Sequence, residues 1–459
     1  MKKLFTLLLL AIVAVGAYAD GLTTVLIGET ALNWGDAVKI PAGSLKGIQS
    51  GDYIYFTTTA SSLKLQYWDG STTQSIESAT SPYEVSEAMA TALQSNDLSI
   101  QAGTENKIYY LGFGPSSLGY DSGTSLAISD GGGDQTIQLT DAIKSSCKIF
   151  DKIVFTVEPK SEGTTTLNVK HNSGNWEIYY TVPSISSKTD VTWVIDEIAL
   201  ANAKAGALWV GEGGNSSNFK VTAIKYYSCT TDNTILLEPS VKSYIQLGSI
   251  PSNATVKYDR AFQWGWNTLC LPFEATVTDI HSTAKAYEFT AANASSITFT
   301  QITGTTLEAG KPYLVYVDTN VATSATFTGV NVTATSAGST SEINGLTFKG
   351  NYVAGFDMTG KYGVAYHNDS DDSKDGWYIM KGGNDATGKA FSAYFEGTVP
   401  TISGGARGFS IITDDGTTKI NTVEKVEEGD GEIYNLMGVR TSAPRKGLYI
   451  KNGKKYIVK

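Results

Sequence analysis

Charge is scarce in this chain. Asp, Glu, Lys and Arg make up 17% of its 459 residues, against roughly a quarter in an average soluble protein. The balance is acidic, at −10, and no broad basic patch can be drawn. That argues against a nucleic-acid partner or an anionic membrane surface. Histidine is scarcer still: His171, His281 and His367 lie far apart, with no HExxH or paired-ligand spacing for zinc. A GxSxG elbow and a phosphate loop are both missing. Long apolar runs are missing too. The one run, Leu4–Val15, falls short of the about 20 residues that a membrane-spanning helix needs, so no transmembrane segment is expected.

Cysteine occurs three times, as Cys147, Cys229 and Cys270, an odd number at wide spacing. All three neighbour apolar residues. The plain reading is buried small hydrophobes, with a Cys147–Cys229 bridge as the alternative in an exported chain. A nucleophilic Cys270 lacks any local histidine to activate it.

The start of the chain has the form of a secretory signal. Lys2 and Lys3 precede the apolar run, and Ala17-Tyr18-Ala19 is a small-x-small cleavage pattern. Cleavage between Ala19 and Asp20 is expected, giving a secreted or surface-displayed protein. No cysteine sits just after that point, which argues against a lipid anchor there.

Abundant residues point to β structure. Gly (47) and Tyr (25) are plentiful, as are Thr and Ser. Thr and Tyr suit a pleated, half-buried surface, while Gly and Ser suit turns. From Leu22 to Phe113 short runs alternate: Ala37–Ile40, Asp52–Phe56 and Leu63–Tyr67 each place every second residue on one face. Pro41-Ala42-Gly43 and Asp69-Gly70 read as turns between them, and Glu84–Gln94 as a turn or two of helix. Leu98–Phe113 supplies two closing strands.

Residues 118–230 repeat this pattern. Val38-x-Ile40 matches Ile137-x-Leu139, and Gly51–Phe56 matches Phe150–Phe155 at the same offset. Leu63–Leu65 then matches Leu167–Val169, and Leu98–Ile100 matches Leu208–Val210. A tandem duplication of one β-sandwich module follows.

A dense apolar stretch, Arg260–Phe273, organises what comes next. Trp266–Leu271 reads as a strand buried on both faces, ended by Pro272. Before it, residues 231–259 form a bridging segment with strands at Ile235–Leu237 and Tyr244–Leu247. The fold class is therefore all-β: tandem β-sandwich (jelly-roll-like) modules, a further β-domain and a short C-terminal β tail. The expected divisions are a signal at 1–19, modules at 20–117 and 118–230, the bridge at 231–259, the β-domain at 260–420, and a linker and tail at 421–459.

Three phrases carry resemblances. Trp34–Ile40, the Gly51–Phe56 strand and the closing Leu-x-Ile or Leu-x-Val step resemble galactose-binding-like jelly-roll modules of secreted Bacteroidales-type proteins. The phrases Trp266–Phe273, Leu307–Val315 and Phe391–Phe395 followed by Arg407–Ile411 resemble a β-domain common in the same exported proteins. Tyr434-Asn435-Leu436-x-Gly438, Gly447–Ile450 and Asn452–Lys455 resemble the C-terminal sorting domain of type IX cargo in Bacteroidetes, with Val423–Gly431 as its linker. The resemblances imply a surface protein that binds poly- or oligosaccharide and meets secretion machinery through its tail.

Candidate ligand residues are aromatic, because sugars stack their flat apolar faces on Trp and Tyr while hydroxyls meet Asn, Asp and Gln. Tyr67-Trp68-Asp69 closes a strand of the first module. Asn172, Asn175 and Trp176 occupy the matching edge of the second. Either group is a stacking platform or a lid on the sandwich edge. Trp34, Trp193 and Trp209 read as packing, and Trp264 and Trp266 as core of the central strand. The acidic loop with Asp369, Asp371, Asp372 and Asp375 offers oxygen ligands to calcium, but Lys374 falls where an EF-hand loop needs glycine, so a solvated turn is the plainer reading. Asp130–Asp134 reads as a flexible turn first and a metal site second. No cofactor is called for. A non-catalytic glycan-binding protein is the leading expectation. A structural or adhesive protein binding another protein and a polysaccharide-acting enzyme are the alternatives, the latter needing two carboxylates on one cleft.

Overall fold

The computed structural model describes residues 21–459 except 132–133, 138–139, 161–164, 172–176, 197–207, 212–218, 294–295, 322–323, 368–375, 398–409, 414–432, 436–439, 442–446, 452–453 and 459. About 50% of the chain is strand and 8% helix, so the all-β class holds. The chain divides after Thr234 into two compact units.

The first unit opens with β1 (Leu22–Ala31), β2 (Val38–Ile40), β3 (Tyr53–Thr58), β4 (Leu63–Trp68), β5 (Thr73–Ala79), β6 (Tyr83–Glu84), β7 (Leu98–Gln101) and β8 (Lys107–Gly114). One sheet runs β1-β8-β3-β6 and the other β2-β7-β4-β5. Pairing is nested and antiparallel: β1 with β8, β2 with β7, β3 with β6 and β4 with β5. Nested pairing of eight strands over two sheets is the jelly-roll arrangement. The alternation read from sequence creates it. In β4, Leu63, Leu65 and Tyr67 are buried while Lys64, Gln66 and Trp68 are not. Each inward leucine contributes about 1.5–3 kcal/mol by leaving water.

Pro41-Ala42-Gly43 is not a plain turn. Pro41 caps a one-turn helix, α1 (Ala42–Leu45), because its fixed φ of −66° suits a helix start. The predicted amphipathic segment forms α2 (Glu87–Leu93), capped by Ser86, whose hydroxyl accepts from the Met89 N–H at 3.3 Å.

The second module repeats the topology with β9 (Thr124–Ser125), β10 (Ile128–Gly131), β11 (Asp134–Ile137), β12 (Lys152–Pro159), β13 (Thr165–His171), β14 (Glu177–Ile185), β15 (Thr189–Val194), β16 (Leu208–Gly211) and β17 (Phe219–Tyr227). Its sheets run β9-β17-β12-β15 and β10-β11-β16-β13-β14. Apart from the added β10, every pairing of the first module has its counterpart here. The one-turn α1 has its counterpart in α3 (Asp141–Ser146), between β11 and β12. Asp130–Asp134 spans a hairpin, with Gly131 opposite Asp134. Trp193 is buried among Ile153, Phe155 and Val221, as packing requires.

The second unit begins within β18 (Asn233–Leu237) and continues with β19 (Tyr244–Ile245), β20 (Ala254–Tyr258), β21 (Gly265–Leu269), β22 (Ala275–Thr276), β23 (Lys285–Ala292), β24 (Ser296–Gln301), β25 (Thr306–Leu307), β26 (Tyr313–Val317) and β27 (Ala325–Val330). It goes on through β28 (Leu346–Asn351), β29 (Phe356–Asp357), β30 (Tyr362–His367), β31 (Gly376–Lys381), β32 (Thr387–Gly388), β33 (Ser392–Gly397) and β34 (Ser410–Thr413). The sheets β21-β26-β23-β24-β34 and β28-β33-β30-β31 enclose a core of Trp266, Phe289, Phe299, Phe348 and Phe395. The bridging segment is not separate. Its β20 pairs with β27, because Val256 and Tyr258 have an apolar face to bury there.

The three phrases of this unit meet. The Cys270 N–H donates to the Phe391 carbonyl at 3.1 Å, the Gly310 N–H to the Leu271 carbonyl at 2.7 Å, and Leu269 pairs with Tyr313. The central strand stops at Leu269, two residues early, since Cys270 and Leu271 spend backbone groups on these cross-links. Asn267 is buried yet satisfied, its amide donating to the Gln263 carbonyl at 2.8 Å. At the C-terminal end, β35 (Ile433–Asn435), β36 (Arg440–Thr441), β37 (Gly447–Lys451) and β38 (Lys454–Val458) form the sheet β36-β35-β37-β38. The expected hairpin pairs Lys451 with Lys454.

Candidate ligand surface

The outward face of β2-β7-β4-β5 is polar. Gln66 lies opposite Ser75 and Ser99, and Lys64 lies opposite Gln101. The Gln66 amide donates to the Ser75 hydroxyl at 2.9 Å, and Lys64 pairs with Glu77 at 3.0 Å. Trp68 ends this face, paired with Thr73 and 45% exposed. Beside the other end stands Trp34, 58% exposed, its carbonyl accepting from the Gln101 amide at 2.9 Å. Four residues separate Lys64 from Trp68, about 13 Å of strand.

The three predicted neighbours divide by role. Trp68 points to solvent. Tyr67, one residue back, points inward and is 9% exposed; burial raises its phenol pKa. Asp69 is spent on its own turn. Its carboxylate accepts from the Thr72 N–H at 2.7 Å, from the Ser71 N–H and hydroxyl at 2.8 Å each, and from the Gln74 amide at 2.6 Å. Those bonds, led by the Thr72 N–H, hold its carboxyl below the usual range. Asp69 thus fixes the loop that presents Trp68. Asn172, Asn175 and Trp176 lie outside the described residues, as do Asp369, Asp371, Asp372, Asp375, Ala19 and Asp20.

Two tryptophans differ from expectation. Trp34 is not packing; it rides a turn in which the Asn33 side chain accepts from the Asp36 N–H. Trp264 is not core; it is 47% exposed on a loop whose backbone N–H donates to Asn320 at 2.7 Å. Both sit next to glycine and polar residues rather than inside an alternating run, a signal that could have placed them outside. Trp266 is buried at 3% as expected.

All three cysteines are free and buried, so Cys147 and Cys229 are not bridged. Burial raises the Cys229 thiol and pushes Cys270 up to about 12, which keeps both protonated. Among the described residues, no group of three or more His, Cys, Asp or Glu side chains is arranged to hold a metal ion, and no helix is long and apolar enough to cross a membrane.

No protein-family model matches the chain, and a search of curated proteins finds none similar to it in sequence.

Proposed function

We propose that this chain is a secreted, non-catalytic glycan-binding protein that works through its N-terminal modules. The observation that carries the reading is Trp68, held open to solvent at the end of a polar sheet face by a turn that Asp69 rigidifies. An indole there offers a stacking plane, while Gln66, Ser75, Ser99 and Lys64 offer donors and acceptors beside it. Exposed indoles at both ends of the face, Trp68 and Trp34, suit the side of an extended saccharide chain. The β35–β38 tail, on its resemblance to sorting domains, directs the chain to the cell surface of a Bacteroidetes-type host.

Glycan-array binding of the full chain, beside Trp68→Ala and Trp34→Ala variants, tests the binding reading. The expected result is saturable binding to one glycan class, lost in Trp68→Ala while melting is unchanged. Absence of binding across a broad array would transfer the surface to an adhesive role toward another protein. Deleting residues 432–459 tests the tail: surface delivery should stop, and unchanged delivery would refute its role.

A further inference from the structure

A second site lies within the first unit, where its two modules meet. The chain is tied there at several points. The Tyr55 hydroxyl donates to the Pro115 carbonyl at 2.6 Å, and the Gly119 N–H to the Thr231 hydroxyl at 2.7 Å. Phe150 of the second module sets its ring edgewise on Tyr55 and Tyr110 of the first, at 5.7 and 5.0 Å. To do so Phe150 adopts a φ of +69°, a left-handed conformation costly for a bulky residue. Its N–H donates to the Ile195 carbonyl at 3.0 Å, and the Ile195 N–H returns a bond to the Asp151 carbonyl at 2.8 Å. The wall of the second module is therefore a fixed frame.

Between these elements opens a cleft of about 570 Å³, within the range of small-molecule sites, about 300–1,000 Å³. One side is apolar, with Leu118, Phe150 and Val194; Val194 is left 43% exposed. The other is hydroxylic, with Thr57, Ser61, Thr80 and Ser116. Among the described residues, no Lys, Arg or His lines it, and Asp196 is the one carboxylate. The described lining offers hydroxyls rather than a cation.

The polar side is unfinished. The hydroxyls of Thr57, Ser61, Thr80 and Ser116 have no protein partner among the described residues. Tyr120 lines the cleft too, its ring beneath the Lys152 ammonium at 3.7 Å. Burial pushes its phenol up to about 12, yet its hydroxyl likewise has no hydrogen-bond partner among the described residues. Thr57 and Tyr120 are half-buried, and such hydroxyls without partners are costly unless a ligand or water meets them, whereas Ser61, Thr80 and Ser116 form an exposed rim.

We propose that this cleft binds a neutral, polyhydroxylated molecule: one sugar unit or the end of a saccharide chain. The apolar face of the ring rests on Phe150, Leu118 and Val194, and its hydroxyls meet Thr57, Tyr120 and the serine and threonine rim. The site is independent of the Trp68 surface, because its first-module wall belongs to the β1-β8-β3-β6 sheet and Trp68 to the other.

Ligand-observed NMR and calorimetry on the full chain test this, with glucose, galactose, mannose, xylose and N-acetylglucosamine as probes. At least one should bind saturably. Thr57→Val and Tyr120→Phe, which keep side-chain shape, should each weaken it by roughly fivefold, the worth of one hydrogen bond. Ser61→Trp at the exposed rim should abolish it by filling the cleft, and Trp68→Ala should leave it unchanged. Circular dichroism and melting of each variant report folding. The proposal is overturned if no probe binds. It is equally overturned if Thr57→Val, Tyr120→Phe and Ser61→Trp all bind like the natural chain, or if Trp68→Ala alone removes binding. Failure here with an intact Trp68 response on the glycan array would leave the sheet-face reading standing.

Discussion

Gly350 is the tightest test of how the second unit is assembled. It lies on β28 with no unusual backbone angle, so alanine would suit its φ and ψ. Space is the obstacle. A Cβ added there would sit 2.4 Å from Cys270 Sγ, 3.0 Å from Cys270 Cβ and 3.1 Å from Ala337 Cβ. Carbon contacts normally settle near about 3.5–4.0 Å. Neither side can give way cheaply. Cys270 Sγ donates to the Gly310 carbonyl at 3.1 Å, its N–H is bonded to Phe391, and the Gly350 N–H donates to Gly338 at 2.8 Å. Gly350→Ala should therefore fall in the upper half of the overpacking range, about 2–3 kcal/mol. Cys270→Ala alone removes the buried sulfur, costing about 1–2 kcal/mol as a small cavity. Combined, the two should cost less than their sum by about 1 kcal/mol or more, since the closest clash has gone. Urea unfolding followed by tryptophan fluorescence, at constant m-value, measures all three. A Gly350→Ala variant within about 0.5 kcal/mol of the natural chain, or strictly additive costs, would refute the packing argument.

Glu238 is buried, and its pKa is raised first by desolvation and then by the neighbouring Asp259 carboxylate. With the folded pKa above the unfolded one, the folded state holds the proton more tightly, so stability falls as pH rises through that window. Glu238→Gln can keep the acceptor for the Ser240 N–H, at 3.0 Å, and offer Asp259 a donor; its urea midpoint should exceed that of the natural chain at pH 8 and change little down to pH 5. Asp151, fully buried, accepts from Tyr226, from the Cys229 N–H at 2.7 Å and from the Lys148 N–H at 2.8 Å. Asp151→Asn sets an amide donor against those donors and should cost about 2–3 kcal/mol, read as a lower midpoint for the first unit. Ser86→Ala removes the α2 cap and should cost about 1 kcal/mol in the same assay.

Much of the fold was legible because it rests on local alternation. Val38 and Ile40, Ile54 and Phe56, and Leu63 and Leu65 point inward because the pleat has period two. The duplication was legible because the strand–helix–strand segment β2-α1-β3 recurs without gaps as β11-α3-β12. Site residues were harder. Tyr67 and Trp68 look alike as adjacent aromatics, and only the register of β4 sends one inward and the other out. Trp34 and Trp264 lie in turns, where no period predicts exposure. The cleft draws on five separated stretches, from Tyr55 to Asp196, and none contains a motif. Its shape depends on how Phe150 turns toward Tyr55, a long-range contact that no window of sequence contains.

The nested pairing of the first module also sets the order in which it can form. Its outermost pair joins Thr23 to Phe113 and Ala31 to Lys107, so the first strand has no partner until the eighth exists. A chain emerging N-terminus first, from a ribosome or through a translocation pore, can zip β4 to β5 early but must hold Leu22–Ala31 open until Lys107–Gly114 follow. The module closes from the inside outward, and its opening strand is the last to be sealed.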